Sequence, residues 1–127
     1  MGASGRVLVV DDDADIRDFV SWALLEAGYD VVTAPNGAVA LDRAREYPPA
    51  LILLDMAMPV MDGWAFADAY RREPGPHAPL VLLTARVAAC ARATDIAASG
   101  YLAKPFALDD LQRVVARHIR PSSPVAA

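Results

Sequence analysis

The chain alternates between short, continuously apolar runs and longer segments whose apolar residues recur at helical spacing. Residues 7–10 (VLVV) are apolar and mostly β-branched, the pattern of a strand buried on both faces. A helix follows, with Asp13 at its N-cap and Ile16, Phe19, Val20, Ala23, Leu24 and Ala27 along one face. Gly28 stands where a C-terminal cap belongs. The spacing then predicts a strand over 31–34, a turn at Pro35, Asn36 and Gly37, and a helix over 39–46 that Pro48 and Pro49 stop.

A third apolar strand is predicted over 50–54, running into Asp55, and a loop leads to a helix over 64–72. The stretch EPGPHAP, 73–79, is loop, because its prolines suit neither helix nor sheet interior. A fourth strand over 80–83 ends in Thr84. Residues 86–99 read as a loop and a small-residue helix, and 100–103 as a short fifth strand that ends in Lys104 and Pro105. A last helix carries Leu108, Leu111, Val114, Val115 and Ile119. The division predicted is a disordered N-terminus at 1–5, one domain over 6–120, and a tail or the start of a linker at 121–127.

Five such units imply an α/β fold: a doubly wound, five-stranded parallel sheet with helices on both faces and right-handed crossovers. In these sheets the functional crevice lies at the carboxyl ends of the strands. The strand ends therefore form a list of candidates. Strand one ends in Asp11 and Asp12, strand three in Asp55, strand four in Thr84 and strand five in Lys104.

Composition narrows the classes. At 127 residues, 55% hydrophobic and 22% charged, the chain is one globular domain. A net charge of −4 gives no electrostatic footprint for nucleic acid or an anionic membrane. The single cysteine, Cys90, excludes an internal disulfide and fits a cytoplasmic setting. No apolar run is long enough to span a bilayer, and MGASG is too short and polar for a signal peptide. Of the twelve basic residues only Lys104 is a lysine.

Carboxylates crowded at one point repel one another unless a cation joins them. A site of oxygen donors favours magnesium, calcium or manganese, and the lack of His or Cys at these strand ends argues against zinc. A cation beside a carboxylate, a hydroxyl and one ammonium is equipment for phosphoryl transfer, in which charge on the transferred oxygens must be neutralised. The metal takes one oxygen, Lys104 a second, Thr84 and nearby backbone N–H groups the third. Asp55, alone at the end of a central strand, is the candidate nucleophile, giving an acyl phosphate. Asp11 and Asp12, adjacent to each other, suit the metal.

The segments VVDDD, LLDMAMPVMDG, LLTA and GYLAKPF resemble, in order and spacing, the signatures of the receiver domain of two-component response regulators, of the chemotaxis-regulator-like kind. The resemblance runs from about Arg6 to Ile119 and implies the flavodoxin-like strand order 2-1-3-4-5, for which a receiver is a standard example. It also implies roles. Asp55 accepts a phosphoryl group from a phosphohistidine on a histidine kinase or phosphotransfer protein. Asp12 binds Mg2+ directly, Asp11 through water, and the backbone carbonyl of Ala57 completes the shell with Asp55. Lys104 pairs with the phosphoryl group and is followed by a cis Lys104-Pro105 bond. Thr84 swings toward the phosphate and Tyr101 turns inward, changing the face made by the helix within 86–99, the fifth strand and the last helix. That face is the expected output surface and the surface for a possible homodimer.

Two features depart from the family pattern. The stretch between Thr84 and Lys104 is about two residues shorter than expected, which displaces or shortens the helix within 86–99. Ala57 is small and apolar where many receivers carry a polar side chain. Other residues have structural readings: Asp13 as a cap, Asp15 in the first helical turn, where the dipole favours an acid, and Cys90 as a packing residue. His77 and His118 are expected to be solvated, and Trp22 and Trp64 to be structural aromatics.

Three readings are carried forward. One is a signalling switch, either a standalone receiver or a piece of a longer regulator or hybrid kinase, that acts by binding a protein and turns over no other substrate. Another is a small magnesium-dependent phosphatase of the haloacid dehalogenase type, to which Asp11 and Asp13 offer a D-x-D pattern. Against it stand the lack of room for a substrate-selecting cap and Asp15, which occupies a place where that motif carries a hydroxyl or apolar residue. The last is a degenerate receiver that binds without phosphorylation, against which the complete acidic set argues.

Overall fold

The structure, a computed structural model, describes residues 5–55, 61–84 and 98–119. Its strands are β1 (Arg6–Val10), β2 (Asp30–Ala34), β3 (Leu51–Asp55), β4 (Leu80–Thr84) and β5 (Gly100–Ala103). The described helices are α1 (Ala14–Glu26), α2 (Gly37–Glu46), α3 (Gly63–Arg72) and α4 (Leu108–Ala116). The strands form one parallel sheet in the order β2-β1-β3-β4-β5, as expected from the sequence. The helix expected within 86–99 falls on 86–97, outside the described residues, as do Ala57 and Cys90.

Alternation along the strands divides the core in two. Val7, Val9, Leu51, Leu53, Val81 and Leu83 pack with Val20, Ala23 and Leu24 of α1 and Leu111 and Val115 of α4. Leu8, Val10, Ile52, Leu54, Leu80 and Leu82 pack instead with Ala40 and Ala44 of α2 and Phe66, Ala67 and Tyr70 of α3. The central strands are buried on both faces, so every position must be apolar, which is why they read as unbroken runs. Each fully buried Leu or Phe contributes about 1.5–3 kcal/mol of transfer free energy.

The caps set where the helices begin. Asp13 accepts the N–H groups of Asp15 and Ile16, as its spacing predicts, and Gly28 closes α1 with φ 94°. Asp62 caps α3 by accepting the Ala65 N–H at 2.9 Å.

Several expectations need correction. Asn36 and Gly37 are not a free turn: Asn36 is the N-cap of α2, accepting the Val39 N–H at 3.0 Å, and Gly37 is already helical. Ile119 lies beyond the end of α4, and its carbonyl accepts the Tyr29 hydroxyl. His118 is partly buried, with Nδ1 against the Val114 carbonyl at 2.9 Å. His77 is exposed, but its ring sits edge-on to Tyr70 and Nε2 lies 2.7 Å from the Glu73 carbonyl. Trp22 is 54% exposed and not a core aromatic, whereas Trp64 does pack against the core. No described helix is long and apolar enough to cross a membrane.

Candidate functional site

Sheet register delivers the acidic residues to one rim. Val10 pairs with Leu54, so Asp11 leaves β1 beside the end of β3, where Asp55 is the last strand residue. Asp55 in turn lies opposite Leu83, and Thr84 opposite Ala103, the residue before Lys104. Asp11 (0% exposed) and Asp55 (6%) are the buried charged residues among those described, and Asp12 is exposed. One carboxylate oxygen from each of Asp11, Asp12 and Asp55 lies within 4.8 Å of the others.

Asp11 is held from several sides. Its Oδ1 accepts the Asp13 N–H at 2.9 Å, and its Oδ2 accepts a hydrogen bond from Lys104 Nζ at 2.7 Å. Its own N–H donates to the Ala34 carbonyl at 3.2 Å, and the Arg17 guanidinium donates to its backbone carbonyl at 2.7 Å. The carboxylate is therefore buried with its hydrogen bonds made, the condition for burying a charge.

Lys104 Nζ also lies 3.6 Å from Asp55 Oδ1. Burial alone pushes the ammonium's pKa down. The hydrogen bond and charge of Asp11, with the charge of Asp55, outweigh that, and the group is held above the ordinary lysine value. The Lys104-Pro105 bond is cis, as the resemblance implies.

Three carboxylates cluster where one ammonium pairs with two of them, leaving an excess of negative charge with oxygen donors. Among the described residues, no His or Cys belongs to the cluster. Two of the acids are buried and the third is exposed to solvent. Such a donor set fits Mg2+, which takes few carboxylates and keeps waters.

The structure thus brings together Asp11, Asp12, Asp55 and Lys104. The backbone of Thr84 reaches the same rim at the end of β4. Tyr101, in β5 opposite Leu82, is 51% exposed. Ala57 lies outside the described residues. Asp13 belongs to the helix cap and not to the cluster. Sequence reasoning missed Arg17 and the direct Lys104–Asp11 pair. For Arg17 the signal available was its place on the first turns of α1, just after the acids.

The family model for the response regulator receiver domain matches residues 7–116. The transcriptional regulatory protein PrrA of Mycobacterium tuberculosis is 41% identical over 110 residues, which cover 85% of this chain and 47% of that protein. The chain spans about half the length of the curated relatives it matches. Chemotaxis response regulator CheY4 of Vibrio cholerae superposes with a TM-score of 0.84 at 34% identity, covering 92% of this chain and 100% of that one. Response regulator protein TrrA of Thermotoga maritima, solved in complex with Mg2+-BeF, gives a TM-score of 0.80 at 34% identity over 94% of this chain and 100% of its own. With the acidic rim, the strand order and the family match in agreement, the chain belongs to the response regulator receiver domains of two-component signalling.

Proposed function

We propose that the chain is a phosphorylation-dependent signalling switch that accepts a phosphoryl group on Asp55 from a phosphohistidine of a histidine kinase or phosphotransfer protein. A carboxylate oxygen of Asp55 attacks phosphorus in line, the bond from phosphorus to the donor nitrogen breaks, and an acyl phosphate remains on Asp55. The observation that carries this reading is the clustering of Asp11, Asp12 and Asp55 within 4.8 Å beside Lys104.

Asp12, Asp11, Asp55 and the Ala57 carbonyl are the proposed Mg2+ ligands, Asp11 acting through water. Bound there, Mg2+ would neutralise charge on a phosphoryl oxygen. Lys104 is proposed to neutralise a second oxygen, a role that its 3.6 Å separation from Asp55 Oδ1 supports. The Thr84 hydroxyl and backbone N–H groups would meet the third.

Switching is a population shift: the phosphoryl group biases the equilibrium by the extra contacts it makes in the active state. Thr84 and Tyr101 are the proposed moving parts. The exposed ring of Tyr101 fits the outward position expected before phosphorylation. Output passes to a protein partner, or to a second copy, through the face that the resemblance implies, of which β5 and α4 are described. The acidic net charge of −4 supports a domain that itself binds no nucleic acid, and the single cysteine supports a cytoplasmic setting.

The phosphatase reading needs Asp13 as a free acid next to Asp11, yet Asp13 Oδ1 accepts the N–H groups of Asp15 and Ile16 at the start of α1. A direct test of the switch is phosphoryl uptake from a small phosphodonor with and without Mg2+. Uptake that depends on Mg2+ and saturates at one group per chain supports it. Continuous turnover of a phosphomonoester supports the phosphatase.

A further inference from the structure

Gly37 opens α2, and its N–H donates to the backbone carbonyl of Met61 at 3.1 Å. A helix cannot satisfy its first amides internally. Here the acceptor comes from the segment that returns from Asp55 to α3. The approach is close: a methyl group on residue 37 would stand 2.7 Å from Met61 Cγ, 2.8 Å from the Met61 carbonyl oxygen and 2.9 Å from Sδ. The thioether can move aside. The carbonyl oxygen belongs to the backbone and moves only if the chain moves.

Backbone conformation does not call for glycine at this position. The glycines with positive φ are Gly5, Gly28 and Gly75, and Gly37 is not among them. In ordinary helical conformation alanine is the better residue. The contact with Met61 is therefore what the missing side chain serves.

Met61 is also one end of a short span. Asp55 is fixed in β3 by its pairing with Leu83, and Asp62, after Met61, is fixed as the cap of α3. Five residues, 56–60, join Asp55 to Met61. We propose that Gly37 is a positioning residue for the Asp55 site. By leaving room for the Met61 carbonyl, it sets the far anchor of the segment that leaves the acceptor, and through it cation binding and phosphoryl acceptance. This rests on the reading of Asp11, Asp12 and Asp55 as a cation and phosphoryl site.

Calorimetric titration of Mg2+ into the full chain tests it, comparing wild type with Gly37→Ala, Asn36→Ala and Gly100→Ala. Gly100 has open space for a Cβ and controls for the substitution itself. Asn36→Ala removes the cap of α2 without touching Met61, and so controls for a weakened helix. Gly37→Ala is expected to bind Mg2+ roughly tenfold more weakly, the scale of a lost supporting contact at a metal site. Its initial rate of phosphoryl uptake falls in step at subsaturating Mg2+. Asn36→Ala and Gly100→Ala bind as wild type, whatever their melting temperatures.

If Gly37→Ala does not fold, the double variant Gly37→Ala/Met61→Ala removes the Cγ and Sδ contacts and keeps the carbonyl one. Its affinity is expected to stay weakened, and wild-type affinity there would overturn the role of the carbonyl. Equal affinities in wild type and Gly37→Ala, or an equal loss in Asn36→Ala, would also overturn the proposal. Absence of Mg2+ binding by the wild type would overturn the site reading, and the proposal with it, before any variant is compared.

Discussion

Lys104 Nζ lies 2.7 Å from Asp11 Oδ2 but 3.6 Å from Asp55 Oδ1. The ammonium is held more closely by Asp11 than by Asp55, the proposed acceptor. It supplies the counter-charge that two buried carboxylates need, and it does so from within the chain. A cation held by the cluster would compete with Lys104 for Asp11. On the proposed reading, a phosphoryl group on Asp55 would draw the same ammonium toward it.

Replacing Lys104 with methionine leaves Asp11 buried without its cation. Stability in the presence of a chelator is expected to fall by about 3 kcal/mol, the scale for breaking a buried pair from one side. Saturating Mg2+ should recover much of that loss, and the variant should bind Mg2+ more tightly than wild type because its competitor is gone. Thermal melts with and without Mg2+ check both points. Equal stability in chelator would show that the pair contributes little.

The pH dependence has a definite sign. Lys104 is held above the ordinary lysine value because Asp11 and Asp55 outweigh the effect of burial. A raised folded-state pKa gives stability that is complete below the unfolded value, about 10.4, and is lost as pH rises through the folded one. Burial raises Tyr29 and Tyr70 as well, and they lose stability in the same direction. Wild type should therefore weaken progressively in alkali, and Lys104→Met, already lacking the lysine's part, should weaken less steeply. Melting temperatures across the alkaline range, in chelator, measure the difference; parallel slopes would contradict it.

Asp12 and Asp13 are adjacent but should behave as opposites. Asp12 is an exposed member of the cluster, so Asp12→Ala should weaken Mg2+ binding by about tenfold or more with little change in chelator stability. Asp13 caps α1, so Asp13→Ala should cost about 1 kcal/mol of stability and leave Mg2+ affinity unchanged. Calorimetry and melting on the two variants check the pair, and a reversed pattern would mean that the ligand and the cap have been exchanged.

Much of the fold was legible because its signals are local. β5 falls on residues 100–103 as predicted, and the other strands differ by one residue at one or both ends. Unbroken apolar runs mark two-sided burial, and Asp13 declares a cap by its spacing. The misreadings trace to tertiary contacts. Asn36 followed by Gly37 is a turn signal in isolation; in the fold Asn36 caps α2 through the Val39 N–H, and the Gly37 N–H donates to the Met61 carbonyl. Trp22 shares a helix with core residues but lies on its outer face, which periodicity around Val20 and Leu24 could have indicated. The site residues were legible as strand ends in a parallel sheet. Which oxygen holds Lys104 was not, since the choice between Asp11 and Asp55 depends on sub-ångström placement across three strands.

Asp55→Asn removes one of the two buried carboxylates while Lys104 keeps Asp11. Stability in chelator is expected to rise by about 1 kcal/mol, roughly 4 °C in Tm for a domain of this size. A large loss of stability would indicate that the Asp55 charge is itself structurally required.

The most direct measurement is intact mass after incubation with a small phosphodonor, on wild type and Asp55→Asn, each with Mg2+ and with chelator. Wild type should gain the mass of one phosphoryl group in Mg2+ and none in chelator, and Asp55→Asn should gain none in either. The same gain in Asp55→Asn would contradict Asp55 as the acceptor, and a wild type that takes up phosphate equally well in chelator would contradict the metal site.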